Sequence, residues 1–545
     1  MYNRIIILSA GILSGFSLYA QDTTKTQTIE ITSAYKPVLR NAVKINFSGS
    51  QLPADTSRPN LYYSIPSQNL FYAYQPISLK PLALQMDTGF YLGNRNYIKA
   101  GFGSLSTPYL KAGLSMGDGK TALANITGSY ISSKGNKIEN QDYAKLNLNA
   151  AASYFLPNNE VFAKLELNKQ DYYLYGYDHD LFQYDKKDIR NGFMDIEIAG
   201  GVKGITGGDL LISYAPRVSY SIFTNKEKLN EGSFRLDLPA QVKINADYAF
   251  KVEALADLTK YSTKNYIPNN YEFTNNVVQI APSVLYKAEL VNFNAGVTPA
   301  WNNGEFSLLP NILVEAQIAE NTLMLQAGWV GRFVKNTYKN LSAINPWLNP
   351  MTVQLNTRET EYYAGIKATL GSHFNVSAKA GFLKYKDFAL FINDTASADQ
   401  KGFVTVYEPT ASNFKLHGDI SYINKDQFSL TAALTLNAFT GFKLHDKAWH
   451  SLPMEFTASA RYMAIKKMAL KADFYLFGGG KYIQKGNESK GLNGGADLSA
   501  GATYQLNKNF SLWMEANNIF NDTYQRWNRY TVYGTNFVGG ILIHF

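Results

Sequence analysis

Six histidines, His179, His373, His417, His445, His450 and His544, are the side chains best suited to hold a metal or move a proton near neutral pH. They are scattered along the chain. None belongs to an H-E-x-x-H pair, and only Tyr177-Asp178-His179-Asp180 gathers several ligand types. Neighbouring side chains of an extended run point to opposite faces, so these four close poorly on one ion and read as a solvated loop. The chain has no cysteine, which removes disulfides, thiolate metal sites and cysteine nucleophiles. Gly101-Phe102-Gly103-Ser104 lacks the third glycine and the following helix of a dinucleotide loop, and no nucleophile elbow is expected. The chain therefore reads as a non-enzyme with no catalytic, cofactor-binding or metal-binding residues and no cofactor.

Two stretches offer recognition chemistry instead. Gln170–Asp185, QDYYLYGYDHDLFQYD, is rich in Tyr and Asp, and Asn340–Asn356, NLSAINPWLNPMTVQLN, is rich in Asn and contains Trp347. Aromatic faces beside amide donors suit a glycan or peptide ligand. The same composition more often serves as interfacial girdle residues and packed loop cores.

The elements that carry these stretches are strands. In Ser233–Asp247, Phe234, Leu236, Leu238, Ala240, Val242 and Ile244 form one face, and Arg235, Asp237, Gln241 and Lys243 form the other. The period of two recurs at Ala144–Tyr154, Phe250–Leu258, Phe428–Ala438, Leu470–Leu476 and Phe510–Asn517, with no helical segment between. The runs are about ten to fifteen residues long, beyond the roughly five to six of soluble strands. Short connectors, such as Gly117-Asp118-Gly119 and Asn245-Ala246-Asp247, alternate with long ones near 170–188, 224–232, 261–272, 335–359, 388–412 and 482–491.

Short turns on one side and long loops on the other predict a transmembrane antiparallel outer-membrane β-barrel of about 22 strands, within 20–24, in the cell outer membrane of a Gram-negative bacterium. Its apolar face meets outer-membrane lipid, and closure leaves no strand edge in hydrocarbon. Charged residues are 17% of the chain, and 38 Tyr and 32 Phe fit interfacial girdles. The net charge of +9 is spread out and leaves no nucleic-acid footprint. Lys145, Lys164, Glu166, Arg235, Asp237, Lys243, Lys251 and Glu253 mix both signs on the face turned to the lumen, either as a hydrated lining or as ion pairs that stiffen the wall.

The two ends fit this reading. Residues 1–20 carry one positive charge and an apolar run, as in a secretory signal peptide, with cleavage expected between Ala20 and Gln21. Residues 21–85 hold Pro37, Pro53, Pro59, Pro66, Pro76 and Pro81 and read as an extended segment that folds into the lumen, hangs in the periplasm to contact a partner, or is a mobile leader. Residues 86–545 form the barrel. In the closing strand Phe537, Ile541, Ile543 and Phe545 face lipid, and this aromatic terminus looks like the insertion signal presented to the outer-membrane barrel assembly machinery.

The run Asn517–Trp527, NNIFNDTYQRW, followed by GTNFVGGILIHF, resembles the last two strands of TonB-dependent receptors, especially those of Bacteroidota-type bacteria. Asn518, Phe520, Asn521, Tyr524 and Trp527 carry that resemblance. It implies uptake of a solute across the outer membrane. It also makes Ile29, Ile31 and Thr32 of TIEITSAYKP similar to a TonB box, a strand captured by a periplasmic energy-coupling protein. About 65 residues precede the barrel, so the full-length plug of that family is lacking. The other reading is a non-transporting scaffold that anchors an envelope or surface complex, with a surface lipoprotein as a possible partner.

Overall fold

The computed structural model describes residues 96–545, apart from 136, 205–211, 227–228, 264–269, 320–321, 372, 425–426 and 485–487. The expected cleavage position at Ala20 and Gln21, the segment 21–85 and its Ile29, Ile31 and Thr32 lie outside the described residues.

The wall is a closed antiparallel barrel of 22 strands. One wall strand is interrupted: Ile212–Tyr214 and Arg217–Asn225 both pair with Leu229–Lys243, on either side of Ala215 and Pro216. Proline has no N–H to give to a ladder, which accounts for a break there. Closure joins the first strand, Tyr97–Gly103, to the last, Asn536–His544, with Tyr97 opposite His544 and Gly101 opposite Gly540. A Cβ on Gly540 would lie 2.0 Å from the Ala100 carbonyl oxygen. The seam closes because two glycines face each other there.

Alternation sorts the two faces. In the last strand Phe537, Ile541 and Phe545 are exposed, while Asn536, Val538, Leu542 and His544 are buried. The same holds at Phe234, Leu238, Val242 and Ile244, all exposed on the outer face. An apolar outer surface of this extent has no place in water and every reason to face lipid. Among the described residues no helix is long and apolar enough to cross a membrane.

The short turns are built by side chains that bond their own backbone. Asn245 Oδ1 accepts from Asp247 N at 2.9 Å and Tyr248 N at 2.8 Å, and Asn507 does the same for Asn509 and Phe510. At the opposite end the structure corrects the sequence reading twice. The expected long connectors at 224–232 and 388–412 are mostly strand: Phe374–Asn393 runs for 20 residues and Phe403–Asn424 for 22. These exceed the roughly 9–11 residues that cross a bilayer, so they extend the wall past it on the long-loop side. The expectation of no helix also fails. Tyr338–Ile344 is a helix, started by Thr337, whose side chain accepts from Asn340 N.

Candidate functional site

The described loops meet at the long-loop mouth in one buried aromatic cluster that includes Tyr175, Tyr338, Trp347, Phe403, Trp527 and Tyr530. The loop between strands Leu323–Val334 and Thr357–Leu370 does not stand over its own strands. It turns inward and packs on the inner face of strands that come much earlier in the chain. Tyr338 lies 6.3 Å from Phe193, 6.0 Å from Phe223 and 6.1 Å from Tyr261 between ring centroids. Trp347 Nε1 donates to the Tyr173 carbonyl at 2.9 Å, and Asn191 Nδ2 donates to the Pro346 carbonyl at 2.7 Å.

Charge fixes the helix in that position. The carboxylate of Glu231, on the wall, accepts from Tyr338 N at 2.7 Å and Lys339 N at 3.1 Å, satisfying donors that a helix start leaves open. Lys339 Nζ reaches Asp195 at 2.9 Å and Glu197 at 3.3 Å. Burial alone would lower the Lys339 ammonium, but those carboxylates outweigh it and hold its pKa above the ordinary value.

A second loop, 518–535, comes from the strand pair beside the seam. Its base is clamped by Asn518, which sits at φ 47° and donates from Nδ2 to the carbonyls of Asp522 at 2.8 Å and Tyr533 at 2.7 Å. Asn tolerates left-handed backbone better than most residues, which explains Asn518 and Asn521 (φ 53°) at this turn. Phe520 points outward and is exposed, whereas Tyr524 and Trp527 are buried. At the loop's far end Tyr530 lies on Trp347, with ring centroids 3.8 Å apart and planes 24° apart. The Tyr530 hydroxyl donates to the Lys401 carbonyl, and Arg529 Nη1 donates to the Asp399 carbonyl at 2.9 Å, which ties in the loop 394–402.

His450 and Asp399 are among the titratable groups of this loop core. Burial pushes the His450 imidazole down to about 4, although its ring bonds the Phe391 carbonyl. Burial alone would raise the Asp399 carboxyl, but hydrogen bonds from Lys401, Tyr184 and Ser397 hold it at about 2.

Trp347 and Tyr175 are buried inside the cluster, so the aromatic stretches serve as packed cores, not as open ligand platforms. The cleft beside them, lined by Gln141, Tyr143, Tyr172, Trp347 and Tyr533 among others, has about 20 Å³ of space, room for about one water molecule. Asp178 to Asp180 form a local turn, with Asp180 N donating to Asp178 Oδ1, while the His179 ring lies tilted against Tyr177, centroids 4.2 Å apart. Among the described residues no three His, Cys, Asp or Glu side chains gather to hold a metal ion. Gly113-Leu114-Ser115-Met116-Gly117 has the spacing of a nucleophile elbow, but it lies inside the strand Thr107–Gly117, and Ser115 Oγ donates to Asn125.

Below the loops, several of the inward charges are paired, while Lys145 lies over the Tyr172 ring. Lys164 pairs with Glu166, Arg235 with Asp237, and Lys251 with Glu253, each two residues apart on one strand face. Glu515 takes Lys99 at 3.1 Å and Lys471 at 2.8 Å. Glu231, Lys339 and Tyr530 escaped sequence reading. Only Thr337, a cap residue before a possible helix, carried a readable signal.

The 22-strand barrel, with short turns at one end and long inward-folded loops at the other, has a fold like that of the TonB-dependent receptors of Gram-negative outer membranes. Its fold matches the FrpB iron transporter from Neisseria meningitidis with TM-score 0.63 at 10% identity, over 83% of this chain and 82% of that one. The siderophore receptor PirA from Acinetobacter baumannii gives 0.64 at 10% identity, over 83% and 80%. A variant of the ferric enterobactin receptor PfeA from Pseudomonas aeruginosa gives 0.60 at 11%, again over 83% and 80%. No protein-family model matches the sequence, and no curated protein matches it.

Proposed function

We propose that this protein takes up a solute across the outer membrane through a lumen closed at its outer mouth by two inward-folded loops. The observation that carries the reading is the Trp347–Tyr530 contact, which joins loops 335–356 and 518–535 across the mouth. A barrel that serves only as an anchor has no need for loops that fold inward and bond the inner wall. The structural neighbours, named as an iron transporter, a siderophore receptor and a ferric enterobactin receptor, agree with uptake. At 10–11% identity they assign no cargo.

In this reading the chain is cleaved between Ala20 and Gln21. Residues 21–85 obstruct the lumen from the periplasmic side, and Ile29, Ile31 and Thr32 pair as an added strand with an energy-coupling protein. Phe537, Ile541, Ile543 and Phe545 present the finished barrel to the assembly machinery.

Single-channel conductance in planar bilayers tests the proposal. The mature chain is compared with a version lacking residues 22–85 and with one that also carries Tyr530→Ala. A closed mature chain and a large pore in either altered form support uptake. If none of the three conducts, the lumen is filled by the barrel itself, and the anchoring scaffold replaces the transporter.

A further inference from the structure

The outer wall carries a recess that the loop site does not involve. Four consecutive strands, Leu323–Val334, Thr357–Leu370, Phe374–Asn393 and Phe403–Asn424, place Trp329, Tyr362, Phe382 and Phe414 in one register row. All four are exposed on the lipid side, and Trp329 stacks on Tyr362 at 5.5 Å. Such a row marks the boundary between hydrocarbon and headgroups.

One register step toward the short turns, the same strands carry Ala327, Ala364 and Ala380, followed by Leu416. The next step brings Ala378 opposite Gly418. Here the missing side-chain volume leaves two adjoining hollows of about 720 and 470 Å³, both bordered by Ala327, Ala364 and Ala380. Each lies within the roughly 300–1,000 Å³ of ligand clefts. Both are almost wholly apolar in lining and open sideways into the membrane.

Toward the long loops from the aromatic row, Lys384 comes next, and then Arg358 stands directly opposite Lys386. Like charges facing each other across a strand pair repel, and an anion between them relieves the repulsion. Two acids lie near: Asp387, which interacts with both Lys386 and Arg358, and Glu305, 3.9 Å from Lys386 with both side chains largely exposed. Three cations at headgroup height, an aromatic row and an apolar recess beneath form a sequence of chemistries that one kind of molecule matches along its length.

We propose that this face holds a phosphorylated, acylated glycolipid of the outer leaflet. Its phosphate lies against Arg358, Lys384 and Lys386, and an acyl chain fills the recess over Ala327, Ala364, Ala378, Ala380 and Gly418. Each nearby Lys or Arg adds to the attraction for an anionic lipid group, so three together discriminate against an uncharged headgroup.

The test is native mass spectrometry of the full chain in detergent, titrated with diphosphoryl lipid A. One retained lipid per barrel is expected. The triple variant Arg358→Gln, Lys384→Gln, Lys386→Gln is expected to weaken retention on the order of tenfold or more. The control Lys466→Gln, Lys467→Gln, at a short turn, is expected to leave it unchanged. Ala364→Leu with Ala380→Leu fills the recess and is expected to lower retention while the three cations remain. Inorganic phosphate at equal concentration is expected not to compete, since it has no chain to bury. The proposal is overturned if the triple variant retains lipid A like the parent, or if dephosphorylated lipid A binds equally well. It is also overturned if light scattering shows a dimer that Ala364→Leu, Ala380→Leu dissolves, because the face would then be an interface between two copies.

Discussion

The indole of Trp347 lies on the phenol ring of Tyr530 at 3.8 Å, and each residue belongs to a loop that leaves a different part of the wall. Both side chains are fully buried, and each is also held through its polar atom, Trp347 by the Tyr173 carbonyl and Tyr530 by the Lys401 carbonyl. Removing the ring from one side leaves a cavity in the loop core and an unused carbonyl acceptor. Trp347→Ala is expected to destabilise the closed loops by about 3–5 kcal/mol while leaving the wall assembled. The expected readout is faster protease cleavage within 335–356, higher conductance and an unchanged shift between folded and heat-denatured bands on a gel. Unaltered cleavage would show that the two loops close independently of each other.

Glu231 links the wall to the helix. Its carboxylate receives two helix N–H groups, and Gln354 Nε2 also donates to it at 3.3 Å. Glu231→Ala orphans the two backbone donors, at a cost of about 1–3 kcal/mol for an unsatisfied buried group. Hydrogen exchange at Tyr338 and Lys339 is expected to rise markedly, while exchange in the facing strand Tyr248–Thr263 stays slow. Equal exchange in parent and variant would remove Glu231 from any role in holding the helix.

The buried His450 gives loop opening a pH dependence. With its pKa held near 4 when closed and about 6.5 when opened to water, the open form takes up a proton that the closed form refuses. The stability this group contributes is fully present above about 6.5. It declines as pH falls, and the decline levels off below about 4. Opening of the loop 441–453 is therefore expected to become about tenfold easier per pH unit between those limits, seen as hydrogen exchange at Trp449 and Ser451. His450→Gln is expected to flatten that dependence. A parent profile that is already flat would place the titration elsewhere.

The terminal strand carries the prediction for assembly. Phe537, Ile541 and Phe545 are exposed on the lipid side, one above another at spacings the pleat allows. Deleting Phe545 is expected to lower the amount of heat-modifiable barrel in the outer membrane several-fold without altering synthesis. Leu542, on the inner face, serves as the comparison: Leu542→Ala is expected to assemble at the parent level. Normal assembly without Phe545 would show that the closing strand is not read at its end.

The sequence by itself determined the barrel. A period of two is a local property, and the inward or outward direction of Phe234, Leu238, Phe537 or Ile541 follows from its place in the alternation alone. The strand number and the short turns were legible for the same reason, since a turn built by Asn245 or Gly117 uses only its own neighbours. The loops were not legible in this way. In sequence Trp347 fits a ligand platform as well as the commoner packed core, and which partner it meets is settled only when Tyr530, far along the chain, is placed against it. Closing of long segments depends on which distant surfaces they meet, and composition carries no record of that. The lipid-side recess is decided similarly. Ala327, Ala364 and Ala380 are ordinary strand alanines in sequence, and only the register of neighbouring strands sets them side by side under one aromatic row. Register is a relation between strands, fixed by closure of the whole sheet, and so it exists only in the tertiary structure.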